Sequence, residues 1–281
     1  MSKSMHPDPR NFFGEETSLS QLRFFFIFCP NNSGTTVLSQ YFASQVGGYL
    51  PPFGNNEGQM APAVTEMMRT RPWDRNQKFD WVFIREQWEK LAAGDMFIEA
   101  SPPNLMRADA IKTVFGRDSS GLISICNPYQ HISSAFRRYL NDPKMVAQHW
   151  LRKARAIIRI RQEYPIFPFI SYEKFVENPR TINESIGVPF KDTALPGKRG
   201  SDISGIRSGY CRAIGFLTPN EVIAINNVLE TECDVMNGLG YSICGPEILA
   251  DARARDVQEF QIGLNNRREF DRRIESKLRT N

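Results

Sequence analysis

A chain of 281 residues that is 41% hydrophobic and 23% charged has the composition of a folded globular protein and the length to bury a sizeable core. Its formal net charge of +4 suits an anionic ligand, but no basic low-complexity arm points to nucleic acid. The five cysteines are scattered without a Cys-x-x-Cys pair, which speaks against a zinc site or a disulfide framework and suits a reducing, cytoplasmic setting.

Residues 1–20 are polar, carry Pro7 and Pro9, and read as a flexible leader rather than a signal peptide; His6 falls here and is set aside. From Phe24 to Phe28 the chain is apolar at every position, the pattern of a central parallel strand buried on both faces. That run is too short to span a membrane. A polar turn, Cys29-Pro30-Asn31-Asn32-Ser33-Gly34, follows, and then Val37, Leu38, Tyr41 and Phe42 fall at helical spacing within 35–46.

A second strand is expected before a loop at 51–59, then a helix at 62–68 and a stretch that turns helical toward Trp88. The short run 96–98 reads as a strand leading into Glu99-Ala100-Ser101-Pro102-Pro103. Another buried strand is expected at 121–125, with a helix after Pro128 through Tyr139 and a long amphipathic helix over 144–164. A strand at 167–171 and a helix at 172–176 complete the alternation. Such alternation predicts an α/β, three-layer architecture on a central parallel sheet, with ligands at the carboxyl ends of the strands. One domain is expected over 21–245, in which 196–209 reads as a linker or a binding loop. The charged tail 246–281 carries Phe270, Ile274 and Leu278 four residues apart, a docked helix or the contact of a homo-oligomer.

Ser33-Gly34-Thr35-Thr36 stands where a buried strand turns into a helix. Gly34 allows close backbone approach, and the first N–H groups of the helix lack internal partners, so the turn can cradle a phosphate. The alternative is Ser33 as an ordinary N-cap with no ligand. This is not a Walker A loop, because Thr35 follows Gly34 where that motif has lysine, and an ATPase or kinase is disfavoured.

Taken in order, four segments resemble the sulfotransferases that use 3′-phosphoadenosine-5′-phosphosulfate as donor. The segment from Pro30 to Leu38 is similar to their 5′-phosphosulfate loop. Cys126-Asn127-Pro128-Tyr129 through Ser134 is similar to their 3′-phosphate motif, an Arg-Asn-Pro start with a serine eight residues later. Glu99 to Asn104 and Phe169 to Pro179 also resemble family segments, and the likeness covers roughly residues 23–242. It implies a P-loop NTPase-like sulfotransferase fold, with donor contacts at Asn32, Ser33, Gly34, Thr35, Thr36, Cys126 and Ser134 and no metal. The chain departs from the pattern at three commonly basic positions: Asn32, Ala100 and Cys126. A thiol is a weak donor that cannot grip a phosphate bidentately. Arg137 and Arg138, one turn past Ser134, and Lys198-Arg199-Gly200 are the replacements on offer.

Transfer to a hydroxyl or amine needs a base near the acceptor, here a small molecule, carbohydrate or peptide. Glu57, in the loop after the expected second strand, matches the place of a glutamate base in the family. His149, beside Trp150 on the long helix, is the alternative, while His131 lies close to the 3′-phosphate motif. Asn32 is a third catalytic candidate, as a neutral donor to the transferred group or the leaving phosphate. Arg152, Lys153, Arg155, Arg159 and Arg161 form a basic stripe that reads as a solvated face or a site for an acidic acceptor. Trp73, Trp81 and Trp88 read as core or as walls of the acceptor pocket.

Overall fold

The structure, a computed structural model, describes residues 22–139, 142–192 and 209–280. In chain order the strands are β1 (Arg23–Phe28), β2 (Met96–Glu99), β3 (Ser119–Ile125) and β4 (Phe169–Ser171). The first helices are α1 (Thr35–Val46), α2 (Thr65–Arg69), α3 (Trp81–Leu91), α4 (Ala108–Phe115), α5 (Pro128–Tyr139) and α6 (Pro143–Glu163). They are followed by α7 (Tyr172–Glu177), α8 (Arg180–Ile186), α9 (Tyr210–Phe216), α10 (Pro219–Leu229), α11 (Cys233–Gly238), α12 (Ile248–Arg255) and α13 (Val257–Thr280). The described residues cluster into two compact units, one of 22–125 with 159–192, the other of 126–139, 142–158 and 209–280.

The first unit is built on a four-stranded sheet in the order β2-β1-β3-β4, parallel throughout. The phenylalanines of β1 alternate between its faces, as side chains on a strand must. Phe25 stacks on Phe42 of α1 at 3.7 Å, whereas Phe24 and Phe26 meet the edge of Phe115 in α4 at 4.7 and 5.0 Å. Trp88 of α3 packs against the same pair and is wholly buried. Helices therefore cover both faces, which is the expected three-layer α/β arrangement.

Local chemistry moves some boundaries. The strand expected before the 51–59 loop shrinks to one parallel bridge from Tyr49 to Phe97. Gly48 precedes that residue, and Pro51 and Pro52, which have no N–H to donate, follow close behind it. The helix expected at 62–68 begins only at Thr65, and β4 begins after Pro168 rather than at Phe167.

In the second unit, Phe136 of α5, Phe216 of α9 and Phe270 of α13 meet edge to face at 5.1–5.7 Å. Arg267 of α13 forms an ion pair with Glu221 of α10 at 2.7 Å. The tail helix is thus docked, with Phe270 spent inside its own unit. The Tyr129 hydroxyl ties the start of α5 to Asn226 Oδ1 at 2.6 Å and accepts the Cys244 N–H at 2.9 Å.

Candidate functional site

The turn after β1 holds two left-handed residues, Asn32 at φ 59° and Gly34 at φ 84°. Asparagine tolerates that region better than most side chains, and glycine enters it at no steric cost. Gly34, not Ser33, is the N-cap of α1, and no side chain caps the helix. The N–H groups of Thr35 and Thr36 consequently lack both an intrahelical acceptor and a capping oxygen. Ser33 and Thr35 are buried, while Asn32, Gly34 and Thr36 are half-buried. Beneath the turn, the Cys29 thiol lies 3.6 Å from both the Pro30 and the Ser33 carbonyls.

Tyr172, the first residue of α7, lies directly on Gly34. A Cβ at position 34 would fall 2.0 Å from Tyr172 Cε2. Ser171 caps α7 by accepting the Lys174 N–H at 3.3 Å, which fixes where Tyr172 leaves the backbone. The sequence carries no signal for this contact.

The Glu57 loop is joined to α1 by Gln40, whose Nε2 donates to Asn56 Oδ1 at 3.1 Å. Asn55 and Asn56 are both left-handed, and Glu57 itself is only 7% exposed. Burial pushes its carboxyl above the usual value, opposed by a hydrogen bond from Gln59 and by the positive charge of Arg69. A buried carboxylate of raised proton affinity is what a general base needs.

The same loop rests on a second, fully buried carboxylate. Gly58 N–H donates to Glu99 Oε2 at 2.8 Å, and Gln59 N–H donates to Ser101 Oγ at 2.9 Å. Trp88 Nε1 donates to the Gly58 carbonyl at 3.2 Å, which makes this tryptophan part of the core that carries the loop. Burial pushes Glu99 up to about 7 against the hydrogen bonds from Ser101 and Gly58, with the charge of Glu57 adding to the rise. Ala100 is buried in this turn.

In the second unit Cys126 is fully buried, and Asn127 caps α5 by accepting the Tyr129 N–H at 3.0 Å. Ser134 is half-buried, and Arg138, one turn on, is exposed. Partial desolvation and the nearby Arg212, Arg138 and Arg273 hold the exposed Arg137 below the usual arginine range, so guanidinium groups gather at this end of α5. Of these, Arg212 is bound bidentately by Glu259 at 2.7 and 2.9 Å. His149 is exposed on α6, and partial desolvation with Lys153 and Arg152 pushes it below its usual value. His131 is fully buried and held well below that value by burial, Lys153 and His149. Lys198 and Arg199 lie outside the described residues.

The basic stripe is not one solvated face. Lys153 is buried, Arg155 pairs with Glu232, Arg159 lies 3.6 Å from Glu163, and Arg161 sits 4.2 Å over the Phe169 ring. Among the described residues no cluster of three or more His, Cys, Asp or Glu is placed to hold a metal ion. Nor is any helix among them long and apolar enough to cross a membrane.

No protein-family model matches the chain, and neither does any curated protein. Among solved structures it is similar to the sulfotransferase domain from the Synechococcus PCC 7002 olefin synthase, at 15% identity and a TM-score of 0.44 over 89% of this chain and 97% of that one. It is also similar to the sulfotransferase domain from the curacin biosynthetic pathway, at 15% identity and a TM-score of 0.38 over 84% of this chain and 97% of that one.

Proposed function

We propose that the protein is a sulfotransferase that uses 3′-phosphoadenosine-5′-phosphosulfate and transfers to a hydroxyl or amine of a small-molecule, carbohydrate or peptide acceptor. The observation that carries this reading is the uncapped start of α1 behind the left-handed Gly34, a turn that no residue with a side chain could form under Tyr172. Such a turn fits the 5′-phosphate of the donor, which supplies an activated sulfuryl group when bound.

In this reading the amides and hydroxyls of Ser33, Gly34, Thr35 and Thr36 bind phosphate oxygens, and Asn32 contributes a neutral donor. Glu57 takes the proton of the acceptor; His149 is the second candidate for that role. Ser134 and Arg138, with Lys198 and Arg199, serve the 3′-phosphate. Cys126, being a fully buried thiol, does not fit as a phosphate ligand.

Calorimetry with 3′-phosphoadenosine 5′-phosphate and a transfer assay with radiolabelled donor over a panel of hydroxyl and amine acceptors test the proposal. Binding is expected, as is label transfer that falls about a hundredfold or more in Glu57→Gln while nucleotide affinity holds. Absence of both binding and transfer overturns it. Binding without any turnover is a second reading, favoured by the neutral Asn32 and the buried Cys126.

A further inference from the structure

Glu99 closes β2 and has no exposed surface. A carboxylate in that position is tolerated only where hydrogen bonds replace its water. Here they do. Oε2 accepts the Gly58 N–H at 2.8 Å, and Oε1 accepts the Ser101 N–H at 2.8 Å and Asn104 Nδ2 at 3.0 Å. The Ser101 side chain bonds to the same carboxylate, and its oxygen accepts the Gln59 N–H.

Two successive amides of the Glu57-Gly58-Gln59 turn thus end on Glu99 and on the hydroxyl that Glu99 holds. The approach is so close that a Cβ at Gly58 would lie 2.3 Å from Glu99 Oε2 and 2.8 Å from the Trp88 ring. No residue other than glycine would let the carboxylate reach that backbone. Asn104 Oδ1 is buried and has no hydrogen-bond partner among the described residues. A flip of that amide offers an acceptor to a proton on Glu99, so the site can satisfy either protonation state.

The hydrogen-bond partners of Glu99, namely Gly58, Ser101 and Asn104, are all uncharged. The charge that acts on it is Glu57, on which Arg69 acts with the opposite sign. Repulsion from an ionised Glu57 adds to the proton affinity of Glu99.

We propose that Glu99 is the positioning residue for Glu57, holding its turn through the Gly58 and Gln59 amides. This rests on the reading of Glu57 as the base.

The test uses the full chain without donor or acceptor. Carbon-detected magnetic resonance of labelled glutamates follows both carboxyls across pH, and backbone hydrogen exchange reports on Gly58 and Gln59. The Glu99 carboxyl is expected to titrate near neutral pH, and lower than that in Glu57→Gln, which removes the charge that raises it. In Glu99→Gln exchange at Gly58 and Gln59 rises at least tenfold. Unchanged exchange, or a Glu99 titration unmoved by Glu57→Gln, overturns the proposal. Should Glu99→Gln fail to fold, Ser101→Ala removes the Gln59 anchor together with the hydroxyl's bond to Glu99; exchange rising tenfold at Gln59 supports the inference, and unaltered exchange there overturns it. The transfer rate of Glu57→Gln is a separate readout. If that rate is normal while titration and exchange behave as expected, the base reading fails and the Glu99–Glu57 coupling stands.

Discussion

At Gly34 two independent constraints fall on one Cα: a left-handed φ of 84° and the Tyr172 ring where a Cβ would go. Gly34→Ala is expected to cost about 1–3 kcal/mol of stability by urea denaturation, from strain and from displacement of the ring. It should also weaken 3′-phosphoadenosine 5′-phosphate binding at least tenfold by calorimetry. Adding Tyr172→Ala should return the part of the stability loss due to the clash and leave the part due to φ, so the double variant separates the two causes. The glycine was legible in the sequence because an apolar run breaks into a turn and resumes at helical spacing. Tyr172 was not, since its contact joins distant parts of the chain and local pattern carries no such information. Glu57 and Glu99 divide in the same way. An acid in a polar loop can be read as a candidate base, but that Glu99 lies beneath that loop is a contact between distant parts of the chain that local pattern does not carry.

Among the elements, α9 and α13 approach one another through glycines. A Cβ at Gly263 would lie 2.2 Å from the Arg212 carbonyl and 3.0 Å from Gly215 Cα, and one at Gly215 would lie 2.4 Å from the Phe260 carbonyl. Backbone cannot yield as a side-chain tip can. Gly263→Ala is therefore expected to cost about 1–3 kcal/mol in chemical denaturation and to raise hydrogen exchange along α13. Much of the parallel sheet follows from apolar runs ending in polar loops, and the tail helix from the spacing of Phe270 and Ile274. The second strand shrank because the Gly48 N–H is taken by the Ala43 carbonyl at the end of α1 and Pro51 and Pro52 have no N–H to give, so pairing is decided by donors rather than hydropathy. No helix is read from the sequence over 219–229, although its start signal is present: Thr218-Pro219-Asn220-Glu221 forms a capping box, with Thr218 Oγ1 accepting the Glu221 N–H at 3.3 Å and Glu221 Oε2 accepting the Thr218 N–H at 2.9 Å. Val222, Ile225 and Leu229 then follow at helical spacing and are buried.

At the scale of the whole molecule the two units carry buried groups of opposite pH preference. Glu99 keeps its proton up to about 7 when folded, whereas an ordinary carboxyl releases it near 4.5. The stability it contributes is fully present below that lower value and is lost as pH rises through 7, on the order of 3 kcal/mol. His131 stays neutral when folded, by burial first and then by Lys153 and His149, while the unfolded chain binds a proton below 6.5. Its contribution is present above that value and lost as pH falls. Hydrogen exchange at pH 5.5 and 8 should show residues 22–125 relatively better protected in acid and 142–158 in base, with Glu99→Gln and His131→Asn each flattening one trend. The phenylalanines of β1 carry a further consequence, for the chain before it folds. Phe24 to Phe28 forms an uncharged, β-favouring segment whose neighbours on both sides, β2 and β3, are synthesised only later, from Met96 and Ser119 onward. Until they arrive, that segment is a nucleus for self-association, with only Arg23 and Pro30 flanking it as gatekeepers. Refolding yield should therefore fall steeply with protein concentration, and a nascent chain halted before residue 96 should need a chaperone to stay soluble.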